Sequence, residues 1–213
     1  MSTFQTLYKY RALRGEARKY TSRILLDQQL YYATPAQLND PFDCRFQISM
    51  EGAPLTEFGR ANCGGIHEFV EQWFRDEAKN PVCLLSLSEV NDDILMWSHY
   101  ADCHTGVCLG LRIPLDNELH RVKYGRDPAT LYLADLLAPQ GNQFRSTIID
   151  VLTTKAEHWA YEREWRAIEF TGRGESPLPS EMLSEVIFGC RTSEADKATV
   201  RAWLNSHAGP ITI

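Results

Sequence analysis

The 213-residue sequence predicts an α+β fold in a single domain, residues 1–213. Two observations point there. Predicted strands are separated in some places by helices and in others by turns, which disfavours a regularly alternating parallel sheet. Neither usual glycine-rich phosphate loop occurs, so a doubly wound or P-loop architecture loses its main support. A composition of 44% hydrophobic and 23% charged residues is that of a folded globular chain. Its length suffices for a core without cross-links.

The elements follow in order. Leu7–Tyr10 reads as a first strand, and Glu16–Gln28 as a short helix with Tyr20, Ile24 and Leu25 at helical spacing. Leu30–Ala33 is a second strand. Thr34-Pro35 then has the form of an N-cap with proline at the first helical position, but Pro41 biases Asp40 away from helical angles, so that helix is only about a turn. Gly52–Gly65 reads as a surface loop. Ile66–Ala78 is an amphipathic helix with Ile66, Phe69, Val70, Trp73 and Phe74 on one side. Val82–Ser88 is a strand, and Asn91 caps a helix from Asp92 to about Ala101. Gly106–Ile113 is an apolar strand. Ile148, Leu152, Ala156 and Trp159 lie along one stripe of a long helix. Glu164–Phe170 is a strand, Gly172–Ser180 a loop and Glu185–Phe188 a last core strand, with Ser193 capping a final helix to about Ser206.

The formal charge of −6 argues against generic phosphate-backbone binding, which needs many Lys and Arg; a nucleic-acid substrate would need a local basic surface. The first twenty residues lack the apolar core of a signal peptide. No apolar run approaches the ~20 residues of a membrane-spanning helix. A cytoplasmic protein with no membrane partner is expected. Cys44, Cys63, Cys83, Cys103, Cys108 and Cys190 show no zinc-knuckle spacing and read as reduced, partly buried thiols.

Four polar–aromatic clusters concentrate the chemistry. In Tyr8-Lys9-Tyr10-Arg11, alternation separates the tyrosines from the cations; Arg11 either grips a diphosphate through its fork or is a solvated strand cation. Asn39-Asp40-Pro41-Phe42-Asp43 is a rigid Asx-type turn anchored by Phe42, or a pocket wall. Ser86 and Ser88 share a strand face opposite Leu85 and Leu87, where two hydroxyls can hold a sugar or amide. In the helix around Met96–Asp102, Met96 and Trp97 read as core, and Asp102 is three residues from His99 and can fix its tautomer. A metal reading would use His99, His104 and Cys103 or Asp102, but matches no common zinc spacing; no metal is expected.

The densest cluster is Trp159-Ala160-Tyr161-Glu162-Arg163-Glu164-Trp165-Arg166. If Glu162 is already extended, both acids point the same way, and converging acids can divide the work of steadying a cation and accepting a proton. The alternative is a solvated edge on which Glu164 pairs with Arg166.

With these clusters the chain resembles the bacterial family known as domain of unknown function 2971. The matching features are Leu-Tyr-Lys-Tyr-Arg at 7–11, Asn-Asp-Pro-Phe-Asp at 39–43, Met-Trp-Ser-His-Tyr-Ala at 96–101, His104-x-Gly106, Trp159-x-Tyr161-Glu162-x-Glu164-Trp165-Arg166 and Val186-Ile-Phe-Gly189. A more distant likeness is to ADP-ribosyltransferase-type domains. Their arginine on the first strand, Ser-x-Ser strand and Glu-x-Glu element would correspond to Arg11, to Ser86 and Ser88, and to Glu162 and Glu164, in the same chain order.

That likeness implies a mixed or antiparallel split β-sheet core with flanking helices, and NAD as a substrate. It implies Glu164 beside the ribose, Glu162 on the acceptor, Arg11 on the diphosphate, Ser86 and Ser88 on ribose or carboxamide, and Tyr10 or Tyr100 stacked on a ring; His99, on a helix without a counterpart in that likeness, is expected to bind the cofactor as well. The acceptor, protein, nucleic acid or small molecule, stays open, and a role as a bacterial toxin or anti-phage effector is implied. Two other classes stay open beside it: a non-catalytic nucleotide-binding or sensing module, and a metal-dependent hydrolase or nuclease using His99, His104, Asp40, Asp43 and Asp102.

Overall fold

The computed structural model describes residues 3–53, 82–115, 118–136, 141–172, 174–205, 207 and 209–213, together with Gly65, Glu68, Glu71 and Gln72. Apart from Glu68, Glu71 and Gln72, the expected 66–78 helix lies outside the described residues, as do Cys63 and nearly all of the 52–65 loop. The strands are β1 (Phe4–Arg11), β2 (Gln29–Tyr31), β3 (Phe46–Ser49), β4 (Cys83–Ser88), β5 (Val107–Pro114), β6 (Leu119–Arg121), β7 (Lys123–Gly125), β8 (Ala129–Tyr132), β9 (Thr154–Ala156), β10 (Glu164–Glu169), β11 (Glu175–Pro177) and β12 (Leu183–Phe188). The helices are α1 (Gly15–Leu26), α2 (Ile94–Tyr100), α3 (Leu133–Leu136), α4 (Gly141–Leu152) and α5 (Glu194–Leu204). The fold is α+β. Its main sheet runs β12-β5-β1-β4-β10-β6, every neighbouring pair antiparallel. Two-stranded pieces β2–β11, β3–β8 and β7–β9 flank it, the last two parallel.

Period-two alternation gives this sheet two buried faces. On one, Leu7, Leu85, Leu87, Leu109 and Leu111 pack under Ile24 and Leu25 of α1 and Val200 and Leu204 of α5. On the other, Tyr10 and Cys108 meet Met96 and Trp97 of α2, while Leu84 and Ile168 meet Ile148, Val151 and Leu152 of α4. Each fully buried leucine contributes roughly 1.5–3 kcal/mol over an exposed one. Among the described residues no helix is long and apolar enough to cross a membrane.

The sheet is split at its centre. β1 keeps full register with β5 from Phe4↔Pro114 to Arg11↔Val107, but meets β4 only at Tyr8↔Ser88. β4 meanwhile stays paired with β10 from Glu164↔Ser88 to Glu169↔Cys83. Beyond Tyr8 the two central strands diverge. Ala33 closes the far end of the gap through Ala33 N to Leu84 O and Leu84 N to Ala33 O, each 2.8 Å. Two residues on, the Ser86 carbonyl faces the opening, where the Lys9 ammonium donates to it at 3.0 Å. A buried carbonyl without a partner is costly, so the lysine side chain replaces the missing ladder bond.

Several sequence expectations are corrected. The stripe from Ile148 to Trp159 is not one helix: α4 stops at Leu152, where Thr153 and Thr154 donate to the Ile149 and Asp150 carbonyls at 2.8 and 2.7 Å. Such back-bonding by β-branched residues competes with helix continuation, and residues 154–156 pair with β7 before a 3₁₀ turn over Glu157–Glu162. The cap of α2 is Asp93, accepting from Leu95 N and Met96 N at 2.8 and 3.0 Å, while Asn91 receives the Trp97 indole through its carbonyl. The 172–180 segment contains β11, which pairs with β2. Tyr20 leaves the core stripe of α1 and rests against Tyr31 instead. Ser193 does cap α5, accepting from Asp196 N at 3.1 Å. The described cysteines are free thiols, Cys44, Cys83 and Cys108 buried and Cys103 and Cys190 exposed.

After α2 the chain passes through three consecutive left-handed residues, Asp102, Cys103 and His104 (φ 50°, 52° and 68°). Gly106 and Gly189 lock this turn: a Cβ on Gly106 would lie 2.2 Å from the Arg11 carbonyl, and one on Gly189 2.2 Å from the His104 carbonyl. Backbone on both sides leaves no room to relax. Gly106→Ala and Gly189→Ala are each expected to destabilise the protein by about 2–3 kcal/mol, from overpacking, read as a lower urea midpoint at unchanged slope. A midpoint equal to wild type would refute the packing argument.

Candidate functional site

The split opens into a cleft of about 270 Å³ between β1 and β4, walled by Arg11, Ser86, Ser88, Tyr100, Glu162 and Glu164 among others. A second cavity of about 390 Å³ adjoins it on the α1 side and shares Lys9, Arg11, Tyr31, Ala33 and Gln37 as walls. In that cavity Tyr20 and Tyr31 stand ring against ring, with centroids 5.8 Å apart, beside the ion pair of Arg23 with Glu175.

A buried ionic network forms the acidic wall. Arg166, fully buried, makes two two-pronged contacts. Its Nε and Nη2 donate to the Glu164 carboxylate at 2.8 and 3.0 Å. Its Nη1 and Nη2 donate to Asp43 at 3.0 and 2.6 Å, and Nη1 also reaches the Leu152 carbonyl at 2.6 Å. Lys155 Nζ joins Glu162 at 2.5 Å, Glu164 at 3.0 Å and Asp43 at 3.6 Å. Three carboxylates thus face two cations, leaving the group one charge short of neutrality when all are ionised.

The pair of glutamates converges, but by a route different from two extended residues. Glu162 ends the 3₁₀ turn, Arg163 caps it in the left-handed region (φ 44°), and Glu164 opens β10. The reversal places both acids on one lysine. Ser88 braces the turn by donating to the Glu162 carbonyl at 2.6 Å, and Tyr124 receives the Glu164 amide at 2.8 Å. Tyr100 donates to Glu162 Oε1 at 2.5 Å and accepts from Asn39.

The two acids titrate in opposite senses. Burial raises the Glu162 carboxyl, Lys155 only partly offsets this, and nearby Glu164 adds to the rise; the net direction is upward. Burial also pushes on Glu164, but Arg166 and Lys155 outweigh it and hold that carboxyl at about 2. Carboxylates driven apart in this way are suited to separate acid–base and electrostatic roles. Across the cleft, burial followed by the neighbouring Arg11 lowers the Lys9 ammonium to about 7. Burial likewise lowers the Arg11 guanidinium from its ordinary value.

Of the residues singled out in the sequence, Arg11, Tyr10, Ser86, Ser88, Tyr100, Glu162 and Glu164 all line the cleft. Ser88 and Tyr10 are engaged within the protein, the tyrosine donating to the Val90 carbonyl at 2.9 Å. His99 stands outside the cleft lining, exposed on a ledge with Tyr100, Trp159 and Tyr161, ring centroids 6.3–6.4 Å from its own. Asp102 does not orient it: that carboxylate turns to Thr105 and Arg14. In the 39–43 segment Asp40 makes the Asx turn by accepting from Phe42 N at 2.8 Å and Asp43 enters the network. Phe42 anchors nothing in the core; it is 71% exposed under the Arg45 guanidinium. Glu164 does pair with Arg166, but in the interior and not on a solvated edge. Among the described residues no three His, Cys, Asp or Glu side chains gather as a metal ion requires, and His104 instead stacks on Trp97 beside Ser98.

Lys155 and Lys9 escape sequence reasoning. Lys155 lies in what reads as a helix stripe, so its burial has no local signal. Lys9 reads as a solvated strand cation because alternation says nothing of a gap between strands.

A family model described as protein of unknown function (DUF2971) matches residues 96–167. The match takes in α2 from Met96 onward, the left-handed turn and both glutamates, and leaves β1 and the 39–43 segment outside. No curated protein and no solved structure matches the chain.

Removing one member of the network strands its partners. Arg166→Met, which leaves Asp43 and Glu164 buried against one lysine, is expected to cost about 3–5 kcal/mol in chemical denaturation. Because the folded Glu164 value lies below the unfolded one, its contribution is fully present above the unfolded carboxylate value, ~4.3, and fades as pH falls through about 2. Glu162, raised, contributes the opposite slope, losing stability as pH climbs through its folded value. Glu164→Gln should therefore flatten the acid limb of a stability–pH profile, and an acid limb identical to wild type would contradict the depressed value.

Proposed function

We propose that the chain is an ADP-ribosyltransferase-like enzyme that uses NAD as substrate and cleaves its nicotinamide–ribose bond. One observation carries this reading: opposite charges stand on opposite walls of a single cleft. Lys9 and Arg11 pair with no carboxylate among the described residues, their polar contacts going to the Ser86 carbonyl, Thr21 and the Ala17 carbonyl. Glu162 and Glu164 occupy the facing wall. A dinucleotide has the matching pattern, an anionic diphosphate joined to a ribose that becomes cationic as it reacts.

In this scheme the C1′–N bond breaks and its electron pair leaves with nicotinamide, so charge develops on the ribose as an oxocarbenium-like ion. Glu164, ionised throughout, steadies that charge. Glu162, whose carboxyl burial raises, takes the proton of the attacking hydroxyl as its oxygen bonds to C1′, and then returns it to solvent. Arg11 holds the diphosphate with its planar fork. The split antiparallel sheet, with the arginine strand on one side of the gap and the Ser-x-Ser strand on the other, also supports an ADP-ribosyltransferase-like fold. Protein, nucleic acid or water are the acceptor classes consistent with the scheme.

A second reading is favoured by a specific observation: both Glu164 oxygens already accept from Arg166 or Lys155. In that case the acids are structural and the chain is a non-catalytic nucleotide-binding module. Nicotinamide release from NAD decides between the two. Under the enzyme reading, Glu164→Gln and Glu162→Gln each lower the rate by about 100-fold or more in protein whose circular dichroism matches wild type. A Glu164→Gln rate equal to wild type would remove the catalytic assignment; wild-type binding of NAD without turnover would select the binding module.

A further inference from the structure

The least expected group in the cleft is Lys9. It stands at the point where β1 leaves β4, lines both cavities, and donates to the Ser86 carbonyl. No salt bridge with a carboxylate is made among the described residues, and Arg11 is two residues away on the same strand. Among the described residues, Tyr8, Tyr10 and Tyr100 line the cleft beside it, with charged and titratable groups from several further elements. Arg11 shares β1, Tyr20 and Arg23 come from α1, Tyr31 from β2 and Glu175 from β11. Glu164 faces it from β10, with Asp43, Glu162 and Lys155 along the same cleft. Arg23 is neutralised by Glu175 at 2.6 Å; Glu164, held by Arg166 and Lys155, favours the Lys9 ammonium but is outweighed by burial and Arg11. Lys9 is therefore a half-buried amine on the same strand as a guanidinium that no carboxylate neutralises among the described residues, a setting that disfavours its charged form.

A doubly anionic group placed between Lys9 and Arg11 reverses that balance, because it supplies the charge partner both lack. We propose that Lys9 and Arg11 together clamp the diphosphate of the ligand, and that Lys9 takes up one proton from solvent as the ligand enters. The clamp makes ligand capture proton-linked: affinity falls as pH rises, since the amine must be charged to bind. The lowering of free Lys9 to about 7 agrees with this and places the change within the physiological range. The inference rests on the cleft being a dinucleotide site, though it fails separately from the enzyme reading.

The test uses the full chain and ADP-ribose, whose bridged diphosphate does not itself titrate near neutrality. Calorimetric titrations at about pH 8, in two buffers of different ionisation heat, are expected to give an uptake of close to one proton in wild type. Lys9→Met should abolish the uptake and weaken binding about 10-fold. Lys9→Arg, which is always charged, should bind within a few-fold of wild type with no uptake. Absence of ADP-ribose binding, absence of uptake in wild type, or uptake persisting in Lys9→Arg would each overturn the clamp. Uptake that depends on Lys9 without nicotinamide release would sink the enzyme and leave the clamp standing; release without uptake would do the reverse.

Discussion

The buried guanidinium of Arg166 is the constraint on which the rest of the site depends. It ties three distant parts of the chain, the 39–43 turn, the end of α4 and the start of β10, to one planar group. Taking such a group out of water is expensive, and only near-complete hydrogen bonding makes it tolerable. Every bond Arg166 makes is accordingly to a carboxylate, a carbonyl or the Cys44 sulfur. Such a hub is poorly explained as a source of stability, since well-packed apolar residues often do as well. It does fix the orientation of Glu164, and through Lys155 that of Glu162, to within hydrogen-bonding tolerance. Pre-organisation of this kind is what an electrostatic site requires.

The split sheet supplies the second condition, room. Were β1 and β4 paired throughout, backbone bonds would fill the space in which Lys9, Arg11 and Ser86 now face an opening. Divergence after Tyr8 costs ladder bonds, offset by Ala33 at one end and the Lys9 ammonium in the middle. Among the described residues no carboxylate pairs with the lysine that repairs the sheet. Fold and chemistry meet in that one side chain, because a repair made with an ammonium group also leaves a charge that an anion can complete.

Much was legible in the chain because it depends on local spacing. The α+β class, β1, β4, β5, β10 and β12, the single 3₁₀ turn Pro35–Gln37 that follows Thr34 and the Ser193 cap all follow from apolar periodicity and capping chemistry. Short partner strands such as β3, β6, β7 and β9 did not, since three or four residues of mixed polarity carry no period to detect. The Ile148–Trp159 stripe misled for a related reason: apolar residues at helical intervals look alike whether or not two threonines stop the helix between them.

The sequence alone determined which residue types were present to do chemistry, and in what order: a cationic first strand, paired hydroxyls, and two acids separated by one residue. Tertiary structure decided which of them meet and in what charge state. The distinction is physical. Secondary structure answers to neighbours a few residues away, whereas the titration of Glu162, Glu164 and Lys9 answers first to burial, and Arg166, which holds Glu164, is itself held by Asp43 over a hundred positions distant. Only folding brings those together.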